Sequence, residues 1–147
     1  MQLGEVRVSR IMGISYLESA TGIKCDQLQG FFVDWPNPPD AQTHLKLLHS
    51  SDQVVLALDS ETRLVVGFIT AITDSVLSAY IPLLEVLPNY QGQGVGSELV
   101  GRMVAKLNHL YMIDLLCDPK LQPFYEKAGM QQSGVGMLIR NYSNQAG

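Results

Sequence analysis

The residues with the clearest chemical potential lie in Pro88-Asn89-Tyr90-Gln91-Gly92-Gln93-Gly94-Val95-Gly96-Ser97. Gly92, Gly94 and Gly96 stand at alternate positions, which strips the turn of side-chain bulk and lets successive backbone N–H groups converge on one point. A helical pattern leaves the turn at Ser97, so the positive end of a helix dipole adds to those donors. Such a turn can hold an anion of the diphosphate kind. Spacing narrows the choice. A Walker loop needs a Lys directly after its last glycine, and Ser97 follows Gly96; a dinucleotide fingerprint needs its third glycine one residue later than here. What fits is Q-x-x-G-x-G, read as Gln91, Gly94 and Gly96. Glu85, just upstream, is the lone carboxylate in the apolar run Ile81 to Leu87, a setting that can tune a carboxyl group for proton transfer.

The elements that must position these groups follow from periodicity and from Gly/Pro punctuation. Ile14 to Glu18 reads as a first strand, and Cys25 to Val33 as a short helix with Leu28, Phe31 and Phe32 on its buried side. Trp35-Pro36-Asn37-Pro38-Pro39 excludes regular structure, and Asp40 caps a helix over Ala41 to His49. A meander follows: Val54 to Leu58, Leu64 to Ile72 and Leu77 to Leu87. Gly67 marks a bulge or a close approach, and Pro82 requires its strand to be bulged or splayed from one neighbour. The helix after the glycines carries Val95, Leu99, Val100, Met103, Val104, Leu107 and Leu110 on one side and Glu98, Arg102 and Lys106 opposite. Met112 to Cys117 reads as a buried strand, Phe124 to Ala128 as a helix stopped by Gly129, and Val135 to Arg140 as a last strand. The division is an N-terminal extension, 1–13, and one domain, 14–147.

Q-x-x-G-x-G directly after Val86-Leu87-Pro88 resembles the signature that binds the coenzyme A pyrophosphate in the GNAT superfamily of N-acetyltransferases. A second stretch, Asp118-Pro119-Lys120-Leu121-Gln122-Pro123-Phe124-Tyr125-Glu126-Lys127-Ala128-Gly129-Met130, resembles that family's other motif, an Asn-type residue at a strand end before a helix closing F-Y-x-x-x-G-F. Asp118 holds the Asn-like place, Tyr125 that of the tyrosine and Met130 that of the last aromatic. The likeness runs from roughly Ile14 to Tyr142. It implies an α/β (α+β) fold: a mostly antiparallel mixed sheet of about six to seven strands with about four helices. The sheet would splay between its fourth and fifth strands, near Leu77–Leu87 and Met112–Cys117. Acetyl-CoA would lie in that V, its pantetheine amides pairing with strand groups at Val86. Its diphosphate would meet Gln91, Gly92, Gln93, Gly94, Val95, Gly96 and Ser97, with Asp118 close by.

The resemblance further implies transfer of an acetyl group to an amine of a small molecule or peptide. The amine must lose a proton, the developing oxyanion needs a donor, and a thiolate, pKa about 8.5, leaves better when protonated. Tyr125 is the candidate to protonate the thiolate. Glu85 is the candidate base, with Tyr80 able to hold a water that does the same work and Asp34 a further choice. Trp35 is a candidate wall of the acceptor site or, equally, a core plug. Two residues depart from the pattern: Gln91 and Gln93 stand where the family often has Arg or Lys, which removes charge-assisted contacts. Lys120, Lys127 or Arg102 could restore some of that charge. The departures keep open a second reading, a CoA-binding sensor or interaction module without turnover.

Bulk numbers agree with one globular unit. The chain has 147 residues, 46% hydrophobic and 16% charged, with a net charge of −4. No basic block is present, so nucleic acid is not an expected partner, and no apolar run is long enough for a membrane span. Cys25 and Cys117 form no CxxC pair, and free thiols in a reducing cytoplasm are expected. His44 and His49 miss the i,i+4 spacing of a helical metal pair, so no metal is expected. Members of the family often dimerise, and the sequence leaves a homodimer open.

Overall fold

A computed structural model describes residues 13–137 and 140–147. Five strands form one sheet in chain order: β1 (Ile14–Leu17), β2 (Gln53–Asp59), β3 (Val65–Thr73), β4 (Ser78–Val86) and β5 (Met112–Asp114). The first three pairings are antiparallel and β4–β5 is parallel. Three α-helices accompany it: α1 (Ala41–Ser50), α2 (Val95–Leu107) and α3 (Gln122–Glu126). Short 3-10 turns cover Cys25–Gln27, Pro88–Tyr90, Pro119–Leu121 and Tyr142–Asn144.

Both faces of the sheet are covered. That is why β2 reads as an unbroken apolar run instead of an alternating one. On one face, Val55, Ala57, Val66, Ile69, Ala71, Ala79 and Ile81 pack against Val95, Leu99, Val100, Met103 and Leu107 of α2. Full burial of each large apolar side chain is worth about 1.5–3 kcal/mol. On the other face, Val54, Leu56, Leu58, Val65 and Phe68 pack under Leu48 of α1 and under Ala20, Ile23, Leu28 and Phe32. The Asp40 carboxylate accepts the Thr43 N–H at 2.8 Å and caps α1, as the sequence predicts.

Gly67 meets both of its expectations. The β2–β3 register slips between Ala57↔Gly67 and Leu58↔Val65, so β3 carries one extra residue beside it. A Cβ on Gly67 would sit 3.1 Å from Leu99 Cδ1, so α2 lies close on the sheet here. Pro82 also falls at a slip. The pairs Ile72↔Tyr80 and Thr70↔Leu83 leave an extra residue in β4 around it, where no ladder hydrogen bond is asked of its nitrogen.

The sheet is smaller than the sequence implied, with five strands and three helices among the described residues in place of six to seven and about four. Cys25 to Val33 is not a helix. Only Cys25–Gln27 turns, because Gly30 (φ 84°), Phe32 (φ 62°) and Asp34 (φ 64°) are left-handed and break helical geometry. Leu28 and Phe32 are buried nonetheless, as part of a folded loop. The expected strand Val135 to Arg140 does not form over 135–137, where Val135 and Met137 are 87% and 96% exposed; Leu138 and Ile139 lie outside the described residues. So does most of the expected N-terminal extension, residues 1–12. Strand β5 is shorter than predicted and not buried: Met112 is exposed and the pairing ends at Asp114.

Candidate active site

The short β5 creates the opening that the site needs. It pairs with β4 only through Ser78↔Met112, Ala79↔Ile113 and Tyr80↔Asp114. Strand β4 runs on to Val86, so its outer edge from Ile81 to Val86 has no strand beside it among the described residues. Backbone groups on such an edge need other partners.

At the far end of that edge sits the glycine turn. Gly92 (φ 73°) and Gly94 (φ 86°) are left-handed, a conformation a Cβ disfavours, and a Cβ built on either meets nothing within 4 Å. The space above the turn is therefore open. Gly94 is the N-cap of α2 and no side chain caps the helix. Among the described residues the first N–H groups of α2 thus have neither an intrahelical acceptor nor a side-chain one, and they carry the positive end of the dipole. A Cβ on Gly96 would lie 3.7 Å from Val86 Cγ2 and 3.4 Å from Phe124 Cζ. The first turn of α2 therefore lies close against the end of β4 and against α3, so the two sequence motifs meet in space.

The two glutamines brace the turn. The Gln91 side-chain amide donates to the Val86 carbonyl at 2.9 Å, and that of Gln93 to the Asn89 carbonyl at 3.3 Å. Tyr90, which sequence reasoning passed over, is a further anchor. Its hydroxyl donates at 2.6 Å to Asp59 Oδ2 at the end of β2, whose Oδ1 accepts the N–H groups of Glu61 and Thr62. Asp59 is only 7% exposed. Only its place beside Gln91 hinted at this; the sequence separation of 31 between the partners hid it.

Arg102 does not supply the missing positive charge. It is paired with Glu98 at 2.8 Å and stacked 4.7 Å from the centre of the Tyr16 ring. Asp118 caps the Pro119–Leu121 turn, accepting the Lys120 N–H at 3.4 Å. Gly129 (φ 94°) ends the helix segment, and Met130 N–H donates to the Tyr125 carbonyl.

Tyr125 on α3 is half-buried, edge-on to Phe124 at 5.0 Å. Burial, and then the neighbouring Cys117, push its phenol above the ordinary value of 10. Tyr125 and Tyr80 line one cavity of about 560 Å³, with Asp114, Cys117 and Arg140 also in its wall. Glu85 is not in that wall. Its carboxylate lies on the face of β4 turned away from α2, where Oε1 accepts the Phe32 N–H at 2.7 Å and Oε2 the Val33 N–H at 3.2 Å. Trp35 is 36% exposed, so it is not a core plug, and its ring lies 4.9 Å from that of Phe32.

The model of the acetyltransferase (GNAT) family matches residues 21–130. The chain belongs to this family. A relative named uncharacterized N-acetyltransferase ycf52, from Porphyra purpurea, is 30% identical over 130 residues, 83% of this chain and 73% of its own length. Among solved structures, one from Deinococcus radiodurans R1, named as an inferred acetyltransferase, superposes with a TM-score of 0.88 at 41% identity, covering 93% of this GNAT chain and 94% of its own. AAC(6')-Iy, solved in complex with the bisubstrate analog CoA-S-monomethyl-acetylneamine, shares the fold at TM-score 0.62 and 14% identity, over 87% of this chain and 97% of its own. This GNAT protein is an acetyltransferase. No helix among its described residues is long and apolar enough to cross a membrane.

Proposed function

We propose that the protein transfers an acetyl group from acetyl-CoA to the amine of a small-molecule or peptide acceptor. The observation that carries this is the uncapped, glycine-lined start of α2, set against the end of a strand whose outer edge lacks a neighbour. A coenzyme A diphosphate fits those donors: they are orphan amides at a helix N-terminus, with open space where side chains would stand. Its binding residues are Gln91, Gly92, Gln93, Gly94, Val95, Gly96 and Ser97, with Val86 offering backbone groups to the pantetheine arm and Asp118 fixing the neighbouring turn. The neighbour solved with a CoA bisubstrate analog supports the assignment.

Acetyl-CoA, when bound, supplies a thioester carbonyl for an amine to attack and a thiol to leave. Tyr125 protects the departing sulfur. Its raised pKa keeps the phenol protonated throughout the working range, so it acts as a donor and not as a base. Proton transfer to a thiolate of pKa about 8.5 would be uphill from a free phenol by roughly 2 kcal/mol, and from this raised one by more. Tyr125 therefore works chiefly by hydrogen bonding to the sulfur as charge develops. Tyr80, across the same cavity, orients the water that receives the amine proton. Glu85, the base expected from sequence, has both carboxylate oxygens on loop amides and lies outside the wall of that cavity. Trp35 offers an exposed aromatic wall to the acceptor. The free thiols of Cys25 and Cys117 suit a reducing compartment, the cytoplasm in this reading.

Calorimetry with acetyl-CoA followed by thiol-release assays over classes of amine tests this. Binding with turnover of at least one amine is the expected result. Binding without release across the panel would make the protein a CoA sensor, a reading that the Gln91 bond to the Val86 carbonyl favours by occupying a strand group the cofactor would use. Absence of binding would end both.

A further inference from the structure

Glu85 has a second kind of work open to it. It pairs across the sheet with Phe68, on the face of β4 turned away from α2, and reaches a loop more than 50 residues earlier in the chain. That loop is held in an unfavourable shape. Phe32 at φ 62° and Asp34 at φ 64° are both left-handed without being glycine, which persists only when surroundings fix it. Two things do so. The Phe32 ring is locked among Trp35 at 4.9 Å, His44 at 4.9 Å and Phe68 at 6.1 Å. The Glu85 carboxylate takes the two successive N–H groups, Phe32 at 2.7 Å and Val33 at 3.2 Å. Trp35 N–H then donates to the Phe32 carbonyl at 3.2 Å, so the indole's place follows from the clamped peptide.

We propose that Glu85 is the positioning residue of the acceptor loop: its carboxylate clamps the Phe32 and Val33 amides and thereby sets Trp35 as a wall of the amine site. The placement of the amine site rests on the function proposed above; the clamp itself does not. Side-chain chemistry explains why Glu is needed. Two donors side by side require two acceptor atoms, and a carboxylate presents both. A glutamine presents one oxygen and turns its NH2 toward the other N–H. An aspartate keeps both oxygens but is one methylene short. The same residue immediately precedes Val86, so the strand that lines the cofactor cleft also holds the acceptor loop.

The test is backbone amide hydrogen exchange by NMR on wild type, Glu85→Gln and Glu85→Asp, paired with steady-state kinetics. Exchange at Phe32 and Val33 should quicken about tenfold or more in both variants, the scale of losing a hydrogen bond to a charged group. Exchange at Val55 and Ile69 in the sheet should stay unchanged. The acceptor KM should rise by about the same factor, with the acetyl-CoA KM and kcat within about twofold. Should the Gln variant not fold, the Asp variant carries the measurement. Unchanged exchange at Phe32 and Val33, or a collapse of kcat with the acceptor KM unmoved, would overturn the proposal, the latter result assigning Glu85 to proton transfer. If no amine is turned over but exchange quickens as expected, the clamp stands and the acetyl-transfer reading is what fails.

Discussion

His44 offers a measurable consequence of the packing that supports the loop carrying Trp35. Its side chain is 1% exposed on α1, with its ring 5.1 Å from Phe31, 4.9 Å from Phe32 and 4.5 Å from Phe68, and Nε2 is buried without a hydrogen-bond partner among the described residues. Desolvation lowers its pKa from 6.5 to about 4. The unfolded chain therefore takes up this proton first as pH falls. The neutral ring contributes its full share of stability above pH 6.5, and that share is lost progressively as the pH falls from there toward 4. The full shift corresponds to about 3 kcal/mol, of which about 2 kcal/mol is gone by pH 5. Urea unfolding of wild type and His44→Phe at pH 7.5, 6 and 5 isolates the effect, because the substitution removes this titration and leaves His49, His109 and the carboxylates to cancel. The wild type should lose about 2 kcal/mol more than the variant between pH 7.5 and 5. Parallel stability curves, agreeing within about 0.5 kcal/mol, would refute the assignment of a buried, uncharged ring.

Three substitutions probe the cleft. Tyr125→Phe should lower kcat by about a hundredfold while the KM for acetyl-CoA moves less than about twofold, as steady-state rates on any accepted amine will show. Gly94→Ala puts a Cβ on a residue at φ 86°, a strain of about 1–2 kcal/mol, and calorimetry should show acetyl-CoA binding weakened by about tenfold. Tyr90→Phe deletes the 2.6 Å bond to Asp59; thermal denaturation should report a loss of about 1–3 kcal/mol, the scale of a hydrogen bond to a charged group, with weaker acetyl-CoA binding beside it.

Legibility followed the range of the forces involved. Turn chemistry and caps are local, so Asp40 before α1, the glycines before α2 and Gly129 after α3 stood out in the sequence and hold in the structure. Gly67 and Pro82 were legible as irregularities because each breaks a strand rule by its own chemistry. The segment Cys25 to Val33 misled because Leu28, Phe31 and Phe32 recur at helical spacing, while the force that shapes the loop comes from Glu85, far along the chain. Glu85 stands out in the sequence as a charge in an apolar run, but its partners are backbone N–H groups that no sequence pattern marks. Tyr90 and Asp59 share that difficulty: each is unremarkable alone, and only the fold brings the end of β2 under the glycine turn.

These observations converge on β4, which is asked to do different things along its length and on its two faces. Its first residues, Ser78 to Tyr80, are tied to β5 and close the sheet. The slip around Pro82 lets the following residues shift face by one position, so Leu84 and Val86 meet the cluster under α2 while Leu83 joins the loop-side cluster and Glu85 reaches the loop itself. Without that extra residue the alternation of a regular strand would send Glu85 toward the apolar face of α2, where a carboxylate would be desolvated and unpaired. The proline that looks like a defect in the ladder therefore sets which side of the sheet each later residue serves. It leaves the edge by Val86 without a neighbouring strand among the described residues and the Glu85 carboxylate on the loop that carries Trp35.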